Sequence, residues 1–461
     1  MKFWRKNILF ILSFSIVLPS TFCQVSMFRG SADHMASQSV SNNLVYGNEE
    51  WKFNAGAPIR SSVAYSGRAI YFGACNGRLF SLDKKTGKER WKYFTGHSIT
   101  SSPAVLNEKV FFADNSQTLY AIHTSTGKLL WRFDLGKELP YEWAFDYYHS
   151  SPSLTENRIV IGSKDGHVYC VNASTGKMVW KYKTSGIVRS TPAIKDGSVY
   201  VGDSEGLLYS LDLKDGTQNW KFAVVGNSLK NEDFGFDRKA IISSPVVAGG
   251  KVIAGCRDGF FYAVDTQTGK EIWRVDHQVS WVISSIAVKD SIAVTGTSDG
   301  RFVQAVNINT GKEIWKFKTI NIVWSSAIID HDRVYIGSHE GALYCLDLYT
   351  GKKIISYQAG AKIFTSPVIS DSILYFGSDN GNMYALSPVK NFKMARAVLN
   401  KYVFWEAGVN IYFRGGQDIR IKELLAANGY NIIDSKKLIA LMQPACHHFR
   451  ETFLQRNSCL H

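Results

Sequence analysis

Short apolar runs that alternate with polar residues fill most of this chain, and pairs such as Asp-Gly and Thr-Gly separate them. The runs at 252–256 and 260–264 flank Asp258-Gly259, whose glycine supplies the positive φ of a tight hairpin turn. A second turn then leads to a strand at Trp273, and an apolar run upstream supplies a first strand. Alternation of apolar and polar residues with a period of two predicts β-strands, so these four segments predict a four-stranded antiparallel unit. Such a small sheet must stack on neighbours to bury both of its faces.

The unit recurs along the chain with a period of about 40 residues. Four strands in a period of this length are typical of a β-propeller blade. A pair of small residues precedes the first strand in eight copies, so we predict an all-β fold with eight four-stranded blades. Copies of the outermost strand carry a tryptophan at Trp51, Trp91, Trp131, Trp180, Trp220, Trp273 and Trp315.

The two ends of the repeat array are each incomplete. The last copy stops near Pro388 without its tryptophan strand, whereas the strand around Trp51 has no copy before it. We therefore predict that the N-terminal strand around Trp51 completes the eighth blade. This closure would remove the exposed sheet edges that promote aggregation.

Residues 262–273, Tyr-Ala-Val-Asp-Thr-Gln-Thr-Gly-Lys-Glu-Ile-Trp, and residues 344–353, Tyr-Cys-Leu-Asp-Leu-Tyr-Thr-Gly-Lys-Lys, resemble the pyrroloquinoline-quinone-type (PQQ-like) propeller repeat. The resemblance covers roughly residues 27–388. It includes Met-Phe-Arg-Gly at 27–30 with His34, which is similar to the segment that precedes this propeller in exported bacterial proteins. The resemblance implies that the tryptophans pack between adjacent blades.

We divide the chain into a signal peptide at 1–23, a propeller at 24–391 and a partial α/β segment at 392–461. The last segment is either a truncated domain or one with an unusual end. The first segment has a basic start and an apolar run that is too short for a typical membrane span. We expect an exported protein, periplasmic or at the cell surface, with no transmembrane span. Acylation of Cys23 as a lipoprotein is the alternative, and the preceding Phe22 favours a soluble product.

The α/β segment is predicted from a change of periodicity after Phe392. Strands are expected at 397–405 and 430–433, and amphipathic helices at 418–428 and 435–442.

The formal net charge of +14 is concentrated at the two ends of the chain, and residues 24–389 carry only +5. We therefore expect no nucleic-acid partner. Cysteines at matching positions of non-adjacent blades are too far apart to pair, so we expect Cys75, Cys170, Cys256 and Cys345 to be packing residues. The matches to G-x-S-x-G at 202–206 and 296–300 are blade hairpins, since a nucleophile elbow requires a strand-to-helix turn.

Two connections between blades, 135–149 and 225–238, are longer than the others. Both link an outermost strand to the next innermost strand, so both are expected at one mouth of the central channel. The first insertion places Tyr141 and Trp143 beside carboxylates, a combination that suits carbohydrate or peptide recognition. The alternative is that its aromatic residues only fix the loop to the propeller.

Residues just before the small pairs are predicted to ring the same mouth. Arg60, His149 and Arg189 could bind an anionic ligand there, or could hydrogen-bond neighbouring carbonyl groups. The predicted ring consists of Arg60, Thr100, His149, Arg189, Ile242, Ile283, Trp324 and Phe364. The ligand-binding candidates are Arg60, Tyr141, Glu142, Trp143, Asp146, His149, Arg189 and Trp324.

Metal ligation has weak candidates on the second insertion, in Asn231, Glu232, Asp233 and Asp237. They offer oxygen ligands but lack a calcium-loop spacing, and a solvated acidic loop is the alternative. The resemblance implies that a PQQ-dependent alcohol or sugar dehydrogenase would hold quinone and calcium in the channel. The adjacent cysteine pair of many such enzymes is absent from this sequence.

No catalytic residue is assigned, and an enzyme is the less favoured interpretation. The leading hypothesis is an exported, monomeric scaffold that binds a protein, a small molecule or a carbohydrate at the face bearing the insertions, with no predicted cofactor. The chain also resembles the propeller of outer-membrane barrel-assembly lipoproteins. A quinone-dependent dehydrogenase with an atypical site, or the accessory propeller of an incomplete C-terminal enzyme, remain alternatives.

Overall fold

The computed structural model describes residues 26–38, 44–143, 147–278 and 280–389, together with strands at 403–407, 410–413 and 431–434. The predicted signal peptide with Cys23, the candidate Asp146 and the two predicted C-terminal helices lie outside these residues.

Eight antiparallel four-stranded blades confirm the predicted all-β propeller, and the sheet of blade 7 gains a fifth strand from the N-terminal segment. In each blade, the first strand is innermost and the fourth is outermost. Blade 1 contains β3 (Ala64–Ser66), β4 (Ala69–Gly73), β5 (Arg78–Asp83) and β6 (Glu89–Phe94). Blade 2 contains β7 (Ala104–Leu106), β8 (Lys109–Ala113), β9 (Thr118–His123) and β10 (Leu129–Asp134). Blade 3 contains β11 (Ser153–Thr155), β12 (Arg158–Gly162), β13 (His167–Asn172) and β14 (Met178–Lys183). Blade 4 contains β15 (Ala193–Lys195), β16 (Ser198–Gly202), β17 (Leu207–Asp212) and β18 (Gln218–Ala223).

The remaining blades repeat this arrangement. Blade 5 contains β19 (Val246–Ala248), β20 (Lys251–Gly255), β21 (Phe260–Asp265) and β22 (Glu271–Asp276). Blade 6 contains β23 (Ala287–Lys289), β24 (Ile292–Gly296), β25 (Phe302–Asn307) and β26 (Glu313–Lys318). Blade 7 contains β27 (Ile328–Asp330), β28 (Arg333–Gly337), β29 (Ala342–Asp347) and β30 (Lys353–Gln358). Blade 8 contains β31 (Val368–Ser370), β32 (Ile373–Gly377) and β33 (Asn382–Pro388), and β2 (Tyr46–Asn54) is its outermost strand.

Pairing of β2 with β33 closes the ring, as predicted from the strand around Trp51. The two strands are antiparallel, and Trp51 lies opposite Ala385. The fourth position of blade 8 is thus filled by a strand from the start of the array, so blade 8 has four antiparallel strands like the other blades.

The tryptophans contact the neighbouring blade, the position in which the family resemblance places them. Trp220 Nε1 donates to the carbonyl of Thr266 in blade 5 at 2.9 Å. Its ring packs on Gly269, where an added Cβ would approach within 2.7 Å and where φ is +68°. The same Nε1 hydrogen bond is made by Trp51, Trp91, Trp131, Trp180, Trp273 and Trp315.

An N-terminal segment, residues 26–38, crosses the ends of the innermost strands on the side opposite the two insertions. Its short strand β1 (Ser37–Gln38) runs parallel to β27 of blade 7. Earlier in the segment, Ser26 forms a bridge with Val105 of blade 2, and the carbonyl of Ala32 accepts from the N–H of Ile194 in blade 4. The segment therefore covers the second mouth of the channel.

The C-terminal strands form a separate small sheet with the order β34 (Val403–Ala407), β35 (Asn410–Phe413) and β36 (Asn431–Asp434). The first pair is antiparallel and the second is parallel. The predicted strands correspond to β34 and β36 with shifted bounds, whereas β35 was not predicted.

The four blade cysteines are free thiols, in agreement with their predicted packing role. Among the described residues, no helix has the length and apolarity needed to cross a membrane.

Candidate functional site at the mouth of the channel

All eight residues predicted to ring the mouth line one cavity. The cavity is narrow, at about 40 Å³, and it lies between the innermost strands near the ends that bear the insertions. The position of these eight residues, directly before the small pairs in the sequence, was therefore sufficient to locate the mouth. Its lining residues include Arg60, Thr100, His149, Arg189, Ile242, Ile283, Trp324 and Phe364.

A ring of hydroxyl groups surrounds the channel, and sequence analysis did not identify it. In blades 1 to 7, the hydroxyl oxygen of the second residue of the small pair accepts a hydrogen bond from the N–H of the corresponding residue in the preceding blade. The bond from Ser62 N–H to Ser102 Oγ is 3.0 Å, and the bond from Ser366 N–H to Ser62 Oγ is 2.9 Å and spans the closure of the ring. The hydroxyl ring consists of Ser62, Ser102, Ser151, Thr191, Ser244, Ser285, Ser326 and Ser366.

The first insertion closes the mouth with two tyrosines. The ring of Tyr147 lies 6.0 Å from that of Trp324 and 5.7 Å from that of Phe364, and Tyr148 packs on the same two residues. We call Tyr147, Tyr148, Trp324 and Phe364 the aromatic cap. Its packing supports the interpretation that these aromatic residues of the insertion fix it to the propeller.

Arg60 is held inside the aromatic cap. Its guanidinium carbon lies 4.5 Å from the ring centroids of both Tyr147 and Phe364. Two hydrogen bonds of 3.0 and 3.1 Å join the same guanidinium to Asp379. This bidentate pairing with Asp379 raises the pKa of Arg60 despite the opposing effect of its burial. Arg60 therefore serves the packing of the cap in this structure.

His339 borders the cap and is buried. Its ring lies 4.3 Å from Phe364 and 4.9 Å from Trp324. Desolvation, with smaller contributions from the charges of Lys362 and Arg60, lowers the pKa of His339 to about 3. The imidazole is therefore neutral at physiological pH.

The two insertions are joined by a buried ion pair. Arg257, in the blade 5 hairpin, donates at 3.0 Å to Asp237 of the second insertion, and both side chains are 1% exposed. Tyr141 of the first insertion donates its hydroxyl to the same carboxylate and accepts from Arg257 at 3.0 Å. Burial raises the pKa of Tyr141, so its hydroxyl remains protonated. We call Tyr141, Asp237 and Arg257 the insertion clasp.

The remaining binding candidates occupy different environments. Arg189 stacks on Tyr141 with its guanidinium carbon 4.0 Å from the ring centroid. His149 Nε2 lies 3.4 Å from the side-chain nitrogen of Gln117. Glu142 is exposed and Trp143 is half-buried. The structure thus brings Arg60, His149, Arg189 and Trp324 to one cavity, while Glu142 lies on the outer surface.

The metal-ligand candidates do not converge on one point. Asp237 is paired with Arg257, and its other carboxylate oxygen accepts from the N–H groups of Lys239 and Ala240 at 2.8 and 3.2 Å. Glu232 and Asp233 lie exposed on a 3₁₀ helix, Asn231–Asp233, which follows another at Val225–Ser228. Within the described ranges, no three His, Cys, Asp or Glu side chains are grouped so as to hold a metal ion.

The channel does not fit a quinone cofactor as it stands. A volume of about 40 Å³ holds roughly three water molecules, whereas pockets for small organic ligands typically occupy about 300–1,000 Å³. Binding of a larger molecule would require displacement of the aromatic cap. The geometry instead leaves the outer surface of this face as the accessible region.

These features define a PQQ-like, eight-bladed β-propeller whose distinguishing parts are two clasped insertions. The family model described as outer membrane protein assembly factor BamB matches residues 39–142, 116–279 and 298–391. The chain belongs to this family.

Solved structures of similar fold include BamB and quinone enzymes. The crystal structure of BamB from Moraxella catarrhalis has 17% identity and a TM-score of 0.61, and the match covers 74% of this chain and 100% of that one. The quinohemoprotein alcohol dehydrogenase from Comamonas testosteroni has 12% identity and a TM-score of 0.65, with coverage of 78% and 80%. A comparison with curated proteins found no significant match. At these identities, the structural likeness establishes the fold alone.

Proposed function

We propose that this chain is an exported scaffold protein that binds a protein partner through the face bearing the two insertions, in outer membrane protein assembly. The observation that carries the proposal is the closed mouth: the aromatic cap fills the channel opening and leaves a cavity of only about 40 Å³. Recognition on this side therefore takes place on the surface above the cap. Membership of the BamB family supports the proposed role.

The surface of this face carries apolar side chains that nothing in the described chain covers. Leu139 of the first insertion is 36% exposed, and Phe234 of the second is 40% exposed. Phe94 and Ile320, at or beyond the ends of outermost strands on the same side, are 62% and 76% exposed. Exposed apolar residues beside polar ones such as Glu142 are typical of protein-binding surfaces.

The insertion clasp supports the same proposal, because it holds two separate loops in one arrangement. Tyr141 belongs to the connection from blade 2 to blade 3, and Asp237 to the connection from blade 4 to blade 5. Their shared hydrogen bonds with Arg257 limit the entropy that the loops would lose when a partner binds.

Site-specific photo-crosslinking in cells tests the proposal. A photoreactive residue at Glu142 or Phe234 is expected to form discrete adducts with components of an outer-membrane protein assembly machinery. The control position is Gln267, an exposed residue in a turn on the opposite face. Equal adducts from Gln267, or none from either insertion, would contradict the assigned face. Recovery of the protein from the cytoplasm with residues 1–23 still attached would contradict export.

A second assay separates this function from the quinone-dependent alternative. Purified protein is incubated with PQQ and calcium and offered alcohols and sugars with an artificial electron acceptor. We expect no turnover and no thermal stabilisation by the cofactor pair. Sustained turnover would show that the aromatic cap opens and would replace the scaffold proposal by the dehydrogenase.

A further inference from the structure

A groove opens between blades 4 and 5 on the face opposite the two insertions. Its volume is about 660 Å³, within the range of about 300–1,000 Å³ that is typical of small-molecule sites. Residues 195–198 of blade 4 form one wall, and residues 249–250 and 266–267 of blade 5 form the other. Asp33 of the N-terminal segment lines its inner end. We call this cavity the blade 4–5 groove.

The charged side chains of the groove are three aspartates and one lysine. The lysine, Lys195, is paired with Asp33 at 3.0 Å, and this hydrogen bond raises the pKa of Lys195. Asp196 and Asp212 therefore give the groove a negative charge. Asp196 is exposed and Asp212 is half-buried, so a ligand can reach both.

Two uncharged acceptors accompany these carboxylates. Asn219 donates from Nδ2 to Ser210 Oγ at 3.2 Å, which leaves its Oδ1 as an acceptor on an exposed side chain. Across the groove, the exposed residue Gln267 presents a backbone carbonyl next to that of Thr266. Asp212 uses one carboxylate oxygen for the N–H of Lys214, at 2.7 Å, and its other oxygen has no hydrogen-bond donor in the described part of the chain.

A guanidinium of the chain itself occupies the matching place between blades 3 and 4. Arg158, the first residue of β12, donates from Nη1 to the carbonyls of Leu213 and Lys214 in blade 4, the second at 3.0 Å. Leu213 corresponds to Thr266, because its carbonyl accepts from Trp180 as that of Thr266 accepts from Trp220. A carbonyl at this position can therefore accept from both a tryptophan and a guanidinium.

Other interfaces between blades also have a cation of the chain here. Lys251 of blade 5 reaches Asn309 of blade 6 at 3.3 Å, and Lys289 of blade 6 reaches the carbonyl of His331 in blade 7 at 2.7 Å. Lys84 of blade 1 pairs with Asp371 of blade 8. Blades 1, 2 and 7 place a cation at the Arg158 position or next to it, in Arg68, Lys109 and Arg333.

Blade 4 departs from this pattern in two ways. Ser198 is the first residue of β16 and so stands where Arg158 stands in blade 3. Lys195, which corresponds to Lys289, is paired with Asp33 of the N-terminal segment instead of with the next blade. On the facing wall, a Cβ added at Gly250 would meet no atom within 4 Å, so the turn leaves the groove open.

We propose that the blade 4–5 groove binds a small guanidinium compound, whose cation takes the place that Arg158 has between blades 3 and 4. A guanidinium is a planar fork of N–H donors, which suits several acceptors on different elements. Those acceptors are the carbonyls of Thr266 and Gln267, the carboxylate of Asp212 and Oδ1 of Asn219. The site lies away from the proposed partner-binding face and does not depend on it.

Calorimetric titration of the full chain with agmatine tests the proposal. Agmatine carries a guanidinium and an ammonium on a four-carbon chain, so it offers a second cation to the carboxylates of the groove. We expect one site with a dissociation constant below about 1 mM, weakened by added salt. 4-Aminobutylurea has the same shape without the guanidinium charge and should bind at least about tenfold more weakly. Equal binding of the two compounds, or no binding of agmatine at about 10 mM, would overturn the proposal.

Asp212→Asn removes one proposed ligand charge while keeping the turn. Asparagine is native at this position of blade 3, where Asn172 accepts from the N–H of Ser174 at 3.0 Å. The variant should raise the dissociation constant of agmatine at least about tenfold. The matched control is Asp347→Asn, at the same turn position in blade 7, which should leave the constant within about twofold of the wild type. An equal effect of both substitutions, or none of Asp212→Asn, would contradict the assigned groove.

Ser198→Arg provides an independent variant, because it places in blade 4 the residue that blade 3 has naturally. Its guanidinium should donate to the carbonyls of Thr266 and Gln267 and exclude agmatine from the groove. The groove has room for the added side chain, so the thermal midpoint should not fall. Retention of wild-type agmatine affinity in Ser198→Arg would show that the compound binds elsewhere.

Discussion

Removal of one charge from the insertion clasp should destabilise the propeller strongly. In Asp237→Ala, the Arg257 guanidinium stays buried and loses its ion pair with Asp237, at 3.0 Å. Breaking a buried pair from one side costs about 3–5 kcal/mol, because the remaining charge is desolvated without compensation. Tyr141 also loses its acceptor, which contributes to the upper end of this range.

The magnitude can be expressed as a shift of the thermal midpoint. A change of 1 kcal/mol moves the midpoint by roughly 2–4 °C in domains of 150–250 residues, and by less in a larger one. We therefore expect Asp237→Ala to unfold about 5–10 °C below the wild type in scanning calorimetry. The matched control is Glu232→Ala, an exposed acid on the same insertion, for which the expected change is within about 0.5 kcal/mol.

A double variant separates loss of charge compensation from loss of packing. Asp237→Leu combined with Arg257→Met replaces the ion pair by apolar side chains, a change that is often neutral or stabilising. The double variant should therefore recover most of the stability lost in Asp237→Ala. The reasoning is refuted if Asp237→Ala costs less than about 1 kcal/mol, or if the double variant is as unstable as the single one.

Two further outcomes follow from the blade contacts and from His339. Trp220→Ala should lower the free energy of unfolding, measured in urea, by about 3–5 kcal/mol, because it empties the space over Gly269 and removes the hydrogen bond to Thr266. A decrease below about 1 kcal/mol would contradict the docking role. The pKa of His339 is about 3 in the folded state, below its unfolded value of about 6.5. Its contribution to the free energy of unfolding is therefore fully present above pH 6.5 and falls as pH decreases towards 3. His339→Phe should reduce the loss of stability between pH 7 and 5, and an unchanged pH profile would show that His339 is not the responsible group.

The blade architecture was predictable because each blade repeats the same local chemistry. Asp265, for example, accepts N–H bonds from Thr268 and Gln267 at 2.8 and 3.1 Å, as its turn position indicated. Those hydrogen bonds, that of Thr268 foremost, lower the pKa of the Asp265 carboxyl. Closure of the ring by the strand around Trp51 was also predictable, because both incomplete ends of the repeat array can be recognised in the sequence.

Contacts between distant segments could not be predicted in the same way. Asp237 looked like a solvated acid or a metal ligand, since its partners Arg257 and Tyr141 are 20 and 96 residues away. Arg257 itself occupied a hairpin position that the repeat already explained. The hydroxyl ring was missed for a related reason: the small pairs were visible, but the bond from Ser62 to Ser102 requires the register between blades.

The two mouths of the channel thus differ in their side chains, because the segments that reach them are not shared by all copies of the repeat. At one mouth, the first insertion fills the opening with Tyr147 and Tyr148, and the charges around them are paired within the protein, as in Arg60 with Asp379. At the other, the N-terminal segment brings in Arg29 without a described counter-charge. A satisfied network is suited to hold a surface in one shape. We therefore assign partner recognition to the face of the clasped insertions, whose charges are paired within the protein.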